Sequence, residues 1–379
     1  MINKQLKICI VVNVDWFVLS HFKHYLSTIV AAGHNVTLLT AGTGKALELS
    51  NLGVTVLEVK LHRGSSDILN ELRQIKLLYS TLKDVMPDVL ELITIKPVLY
   101  GGLCAKLLGL QHVVFYMSGL GSQFTSRSIF GRFKRSIIVN CYRFLMSSGL
   151  KRVIVENSDD YRLFLERVNV QANRLFKIGG VGVDLHQFSP QKRDRKEQVN
   201  VGMVSRLLHD KGVMEFYQSA YTLSRVHNSV QFHLAGEIDP SNPASLTEVE
   251  VREISDSAVI KLHGHIDEID SFLTSIDIFV LPSYREGFPR AIMEASAMGV
   301  PVVACDVTGC KDAVVPNHTG LLCVAMDSVG LTGAIERVIL DNDLRRRLGN
   351  GGRQYALCNF DEEIISKAHL NILEGTLIE

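Results

Sequence analysis

Near-continuous apolar runs, rich in Val, Ile and Leu, recur along this chain, and a stretch of helical periodicity separates each from the next. The runs LKICIVVNV (6–14), HNVTLLT (34–40), VTVLEVK (54–60), DVLELIT (88–94), HVVFYM (112–117) and RVIVE (152–156) read as strands. A strand that is apolar on both faces is buried on both faces, as a parallel strand between two helical layers is. Helical patterns fall between them at 20–32, 66–84, 97–109, 129–149 and 158–168. This alternation predicts an α/β fold with a doubly wound sheet. It then stops at IGGVGVDLHQFSPQKRDRKEQ (178–198), which is glycine-rich and then charged, and reads as a linker. Beyond it the pattern restarts with NVGMV (200–204), VQFHLAG (230–236), VIKLHG (259–264), IFVLP (278–282), VPVVAC (300–305) and GLLCV (320–324), and 328–379 is helical only. A chain of 379 residues suits two such units. The expectation is two Rossmann-like doubly wound domains, 1–183 and 184–360, facing across a cleft. Ligands of open α/β sheets bind beyond the carboxyl ends of the strands.

Composition narrows the function. Hydrophobic residues make up 46% and charged residues 21%, with zero net charge, so the chain reads as soluble and globular with no global call for nucleic acid. The seven cysteines (Cys9, Cys104, Cys141, Cys305, Cys310, Cys323 and Cys358) form no CxxC pair or Cys/His metal spacing. They read as reduced core thiols of a cytosolic protein. The first residues, MINKQLKICIVVNVDWF, lack a cleavage site, and no run approaches the roughly 20 apolar residues of a membrane span. A protein neither secreted by that route nor membrane-spanning is expected.

The stretch SYREGFPRAIMEASAMGVPVV (283–303) carries the densest chemistry. Ser283–Gly287 form the loop at a strand's carboxyl end, Pro289 suits a first helical turn, and Gly299 with Pro301 stops the helix. The tip formed by Gly287, Phe288, Pro289 and Arg290 offers N–H groups and a positive dipole end, which suits a phosphate. Glu286 precedes the helix and Glu294 lies on its second turn. Carboxylates accept two hydroxyls at once, so the pair suits a ligand with a sugar at one end and a ribose at the other. In VSRLLHDKG (204–212), Arg206 and Lys211 lead into a helix whose start disfavours cations unless an anion is bound. They can neutralise a diphosphate and stabilise it as it departs. Gly236 and Glu237 end another strand, where glycine permits close approach to a ligand. Gly309 belongs to a second strand-to-helix turn whose N–H groups extend the cradle.

In the first half, Asp15, Trp16, Ser20 and His21 follow the first strand. Trp16 beside Asp15 suits sugar stacking and hydroxyl binding, and equally an anchor packed between strand and helix. Thr94 and Lys96 follow the fourth strand, and Gly119 and Gly121 the fifth, as acceptor-binding candidates. RSIFGRFKRSIIVNCYRFLMSSGLKR (127–152) has no acidic residue. With Arg132, Lys134 and Arg135 among aromatic residues, it reads either as a helix for an anionic membrane face and a lipid diphosphate or as a domain helix with one solvated basic face. No DxD pair ends a strand, so no metal is expected.

EGFPRAIMEASAMGVPVVACDVTGCKDAV (286–314) resembles the signature of retaining GT-B glycosyltransferases of family GT4, with Glu286 and Glu294 matching its E-x7-E motif and Arg206 and Lys211 its R-x4-K pattern. VNVDWFVLSH (12–21), TIKPVLYGGLCAKLLG (94–109) and SGLGSQFTS (118–126) resemble a bacterial subgroup that builds O-antigen, capsule or N-linked glycans on lipid carriers. The resemblance implies a GT-B fold with helix 361–379 packing back on the first domain. It implies a nucleotide-sugar donor, a UDP-hexose or UDP-N-acetylhexosamine, held by the second domain. The acceptor implied is a glycan on a lipid diphosphate, held by the first domain of a cytoplasmic enzyme in peripheral contact with the inner membrane face. It also implies Arg206 and Lys211 on the diphosphate, Glu286 on donor hydroxyls, Glu294 on the ribose, and the His265 loop on the base. Many members place a histidine after the fifth strand. FYMSGLG stands there instead, so His21 is the nearest alternative. No carboxylate is placed as a nucleophile, which favours same-face transfer. The rival readings are a nucleotide-sugar epimerase of similar build and a non-catalytic nucleotide-sugar-binding subunit.

Overall fold

β1 (Lys7–Val14) runs straight into α1 (Asp15–Ala31), and the same strand-then-helix step repeats through the first unit. Next come β2 (Asn35–Ala41), α2 (Ala46–Ser50), β3 (Thr55–Glu58), α3 (Ile68–Val85), β4 (Val89–Ile93) and α4 (Ile95–Leu108). They are followed by β5 (Val113–Met117), α5 (Ile129–Met146), β6 (Lys151–Val155), α6 (Ser158–Leu163, continued as a single π turn) and β7 (Leu175–Lys177). The computed structural model describes residues 5–59, 68–120, 129–147, 150–191, 198–240 and 242–375.

The seven strands are all parallel in the order β3-β2-β1-β4-β5-β6-β7, so the sheet reverses direction between β1 and β4. Side chains alternate across it. Cys9, Val11, Leu90 and Leu92 enter the core under α3, α4 and α5, while Ile8, Ile10, Val12 and Ile93 enter the opposite core with α1.

The second unit holds β8 (Val199–Val204), α7 (Val213–Val226), β9 (Val230–Ala235), α8 (Glu248–Asp256), β10 (Ile260–Gly264), α9 (Ile269–Thr274), β11 (Ile278–Leu281) and α10 (Arg290–Ala297). It continues with β12 (Val302–Cys305), α11 (Cys310–Ala313), β13 (Gly320–Cys323), α12 (Ser328–Leu340) and α13 (Asn342–Asn359). Its six parallel strands run β10-β9-β8-β11-β12-β13. Here the reversal lies between β8 and β11. The last helix, α14 (Glu362–Glu374), belongs to the first unit, which comprises Met1–Val181 and Glu362–Glu379. Gly182–Asp361 form the second.

α14 packs on α1 and β4 and sends Ile365, Leu370, Ile372 and Leu373 into the first unit's core. A polar clasp accompanies them. Glu91, fully buried in the middle of β4, accepts hydrogen bonds from Tyr25 Oη at 2.8 Å and His369 Nε2 at 2.5 Å. The Tyr25 and His369 rings stack at 3.8 Å. His34 reaches Glu374 at 2.8 Å, and His24 reaches Ser366 at 3.0 Å.

The structure departs from the sequence reading in four places. α1 starts at Asp15, five residues before the expected 20, so the residues expected in a loop lie on helix. β7, a three-residue strand, was not anticipated. Pro289 is the residue before α10 and takes an extended ψ of 112°, rather than standing within the first turn. Of the cysteines, Cys141 and Cys358 are exposed and Cys323 is half-buried, so only four are core thiols.

Candidate functional site

In the second unit the carboxyl ends of β8, β9 and β10, on one side of the reversal point, are stitched together by backbone. Ser205 N donates to Ala235 O at 3.0 Å, Leu207 N to Glu237 O at 2.9 Å, and Gly236 N to Gly264 O at 2.7 Å. At Gly236 a Cβ would lie 1.8 Å from Ser205 O, closer than any side chain could stand. The loops after β8, β9 and β10 therefore stay in register only with glycine at this position.

Lys211 closes a 3-10 turn (His209–Lys211) after β8, and its Nζ meets Glu286 Oε1 at 2.6 Å, with both side chains largely buried. Glu286 follows the neighbouring strand β11, so the contact bridges the point where strand order reverses. Two further loops hold it. Glu286 N donates to Thr308 O at 3.0 Å, and Tyr284 N to Asp210 O at 2.9 Å. Tyr284 Oη also donates to Glu215 at 2.5 Å, and burial pushes its phenol well above the usual range. Gly309, at φ +84°, sits beneath the Glu286 loop, where a Cβ would come within 2.6 Å of Gly287 O. Beside this cradle Cys310 is fully buried, and burial together with the Glu286 charge raises its thiol pKa well above the ordinary value.

Arg206 lies on the same carboxyl edge, itself exposed, and donates to Asp239 Oδ2 at 2.8 Å. Asp239 was not anticipated as its partner, although it closes the LAGEID stretch that contains Gly236 and Glu237. Glu294, expected on a ribose, is 6% exposed. Burial raises its carboxyl pKa, and Arg290 Nε, donating to Oε1 at 2.8 Å, partly offsets that. Phe288 packs edge-on to Phe360. The side chain of His265 is exposed and lies 3.4 Å from Asp267. Arg206, Lys211 and Glu286 thus share the carboxyl edge of one sheet, with Gly236, Gly287 and Gly309 around them.

The first unit places its candidates less uniformly. Asp15 is fully buried. Its carboxylate accepts from Thr43 N at 2.8 Å, Thr43 Oγ1 at 2.5 Å, Lys45 N at 3.0 Å and Trp16 N at 2.8 Å. It is turned toward the chain's own loop rather than toward a ligand. Burial alone would raise its pKa, but the hydrogen bonds from Thr43, Lys45 and Trp16 outweigh it and leave the pKa below the ordinary 3.8. A depressed carboxyl pKa stabilises the fold above the ordinary value, and the stability is lost as pH falls through the folded one. Asp15→Ala therefore unfolds earlier than wild type at pH 7 and pH 5, and the gap closes only below about pH 4, read as thermal midpoints across pH.

Trp16 is 42% exposed and meets Phe17 edge-on. His21 bonds to Ser20 Oγ at 2.6 Å and stacks on Phe17 at 4.3 Å. Lys96, on the first turn of α4, holds Glu71 of α3 at 2.8 Å. Gly119 follows β5 at φ +87°, and Gly121 lies outside the described residues. On α5, Arg132 and Lys134 are exposed and Arg135 is half-buried. Exposed Phe133, Ile137 and Phe144 form an apolar stripe among these cations. The helix thus has a second apolar face besides the buried one of Val139, Tyr142, Leu145 and Met146.

Comparison with known proteins agrees with this architecture. The family description "Glycosyl transferases group 1" matches residues 186–355, and "Glycosyl transferase 4-like" matches residues 7–157. The chain is 28% identical over 342 residues to the N,N'-diacetylbacillosaminyl-diphospho-undecaprenol alpha-1,3-N-acetylgalactosaminyltransferase of Campylobacter jejuni, covering 87% of this chain and 88% of that one. It is 26% identical over 311 residues to the UDP-Gal:alpha-D-GlcNAc-diphosphoundecaprenol alpha-1,3-galactosyltransferase of Escherichia coli, covering 75% and 76%. Among solved structures, Anabaena HepE in complex with UDP and glucose superposes with a TM-score of 0.76 at 18% identity, over 98% of this chain and 100% of that one. With both halves matched in order, and with the two parallel sheets of the GT-B fold, the chain belongs to the group 1 glycosyltransferases of family GT4, retaining hexosyltransferases that use sugar nucleotides without a required metal ion.

Proposed function

We propose that this glycosyltransferase moves a hexose or N-acetylhexosamine from a UDP-sugar to a glycan on a polyprenyl diphosphate, in bacterial surface polysaccharide or glycan assembly. The second unit holds the donor and the first unit the acceptor. The observation that carries the donor assignment is the Lys211–Glu286 contact, set on the reversal point of its sheet between the Gly236 and Gly309 turns. Lys211 and Arg206 stabilise the departing diphosphate, Glu286 orients donor hydroxyls, and Glu294, positioned by Arg290, holds the ribose. The bond from the anomeric carbon to the diphosphate breaks, and the acceptor oxygen bonds on the same face. The leaving phosphate oxygen takes the acceptor proton. The lipid-diphosphate acceptor is supported by the relatives from Campylobacter jejuni and Escherichia coli, whose names specify undecaprenyl carriers. The test is a screen of UDP- and GDP-sugars against lipid-diphosphate acceptors, analysed by mass. The expected product is one hexose or N-acetylhexosamine heavier than the acceptor, from a UDP-sugar. Consumption of the sugar nucleotide with no acceptor product would overturn the reading.

No helix among the described residues is long and apolar enough to cross a membrane. Access to a lipid carrier then needs a surface contact, and α5 supplies an apolar stripe with flanking cations. Each cation near an anionic surface contributes about 1 kcal/mol. Arg132→Ala with Lys134→Ala should therefore weaken binding to vesicles containing phosphatidylglycerol roughly 30-fold at low salt. Cosedimentation measures it, and equal binding by wild type and double variant would remove α5 from the contact.

A further inference from the structure

Among the described residues of the first unit, Asn13, Gln74 and Thr94 carry buried side-chain atoms without a hydrogen-bond partner at one edge of the fold, apart from the unpaired Tyr142 Oη of α5. Asn13, 8% exposed, has an unpaired Oδ1, and Gln74, 4% exposed, has both amide atoms unpaired. Thr94 has a buried, unpaired Oγ1. Asn13 is the penultimate residue of β1, and Thr94 directly follows β4. These strands are parallel neighbours with Val11 opposite Leu92, so Asn13 and Thr94 both lie just beyond that pair, at the carboxyl edge of the sheet. That edge caps the face of Cys9, Val11, Leu90 and Leu92, under α3 and α4. Gln74 reaches that face from α3. It stands one and two turns before Leu78 and Leu82, which enter the same core. Its height is set by Glu71, one turn nearer the helix start, which holds Lys96 at the start of α4.

A buried polar group without a partner costs about 1–3 kcal/mol, and native folds contain few of them. Three in one corner call for an occupant. The corner also lies where strand order reverses, the place at which open α/β sheets take ligands. Thr94 adds an independent sign. Its backbone sits at φ +76°, ψ 165°, a region close to glycine's alone, and such strain gathers at ligand sites.

The chemistry of the set is uncharged: two amide carbonyls, one amide N–H₂ and one hydroxyl. Lys96 is engaged by Glu71. A diphosphate calls for cations, whereas a ring with hydroxyl or acetamido groups offers donors and acceptors together. We propose that Asn13, Gln74 and Thr94 form the subsite that reads the uncharged sugar ring of the acceptor, as distinct from its diphosphate. This rests on the assignment of the acceptor to the first unit, and adds the residues and the part of the acceptor they select.

Gln74→Leu and Gln74→Met keep the bulk of the side chain and remove the amide, and Thr94→Val removes the hydroxyl at nearly constant shape. Steady-state transfer by the full chain, with acceptor and donor varied separately, reads the effect. Acceptor KM rises about tenfold in each variant, the equivalent of a lost buried hydrogen bond, while donor KM holds and the thermal midpoint of the free enzyme does not fall. An acceptor KM unchanged in all three variants overturns the proposal, because the amide and the hydroxyl are then only uncompensated buried groups. The three variants at two positions keep the test intact if one fails to fold. Failure of the parent reading looks different: wild type itself then transfers to no lipid diphosphate.

Discussion

Replacing Lys211 by Ala lowers kcat by about 10²–10³-fold, the range for removing one preorganised group that stabilises developing charge. The residue is placed for it. Lys211 Nζ stands 2.6 Å from Glu286, and both sit on the loops that flank the strand reversal. Glu286→Ala should abolish transfer to a similar degree while leaving nucleotide binding largely intact, because its proposed partners are donor hydroxyls rather than phosphates. The two losses do not add. Each single variant already breaks the shared contact, so the double variant is little worse than either single one. Initial rates of product formation, with nucleotide affinity measured by calorimetry, check all three. Full turnover in Glu286→Ala would remove its role, and multiplicative losses would separate Lys211 from Glu286.

The second large effect is on stability. Glu91→Ala and His369→Ala each break a fully buried polar pair, and removing one partner of such a pair costs about 3–5 kcal/mol. For a unit of this size that is a fall of roughly 10 °C in the thermal midpoint. Glu91→Leu with His369→Leu and Tyr25→Phe removes the carboxylate together with both of its donors and should recover much of the loss, since the apolar replacement then leaves none of these groups unsatisfied. A triple variant as unstable as the singles would show that packing of the rings, not the buried carboxylate, dominates.

How far these features could be read in advance depends on the range of the contacts behind them. The β-strands were legible because burial on both faces leaves an apolar run, whereas β7, Leu175–Lys177, is too short to carry a period. The start of α1 was misplaced because Asp15 reads as a loop residue. Its burial depends on Thr43 and Lys45, 28 and 30 residues away. Lys211 and Glu286 were legible as motif residues at strand ends. Their direct contact, and the Asp239 that holds Arg206, come from pairing 75 and 33 residues apart. Glu91 read as one polar residue in a strand. The partner that explains it, His369, lies 278 positions further on. Gln74 looked like any helical glutamine, because only the packed core shows that its amide is buried without a partner.

The return of α14 to the first unit has a consequence for synthesis. At about 5–20 residues per second, the roughly 180 residues of Gly182–Asp361 occupy the ribosome for on the order of 10–40 s after Val181 has been added. Throughout that interval the buried carboxylate of Glu91 has no imidazole to meet, and the apolar groove that will receive Ile365 and Leu373 stays open. The earlier-made half of the enzyme therefore finishes folding last, and a nascent chain that terminates early leaves that groove uncovered, as a surface for chaperones to grip.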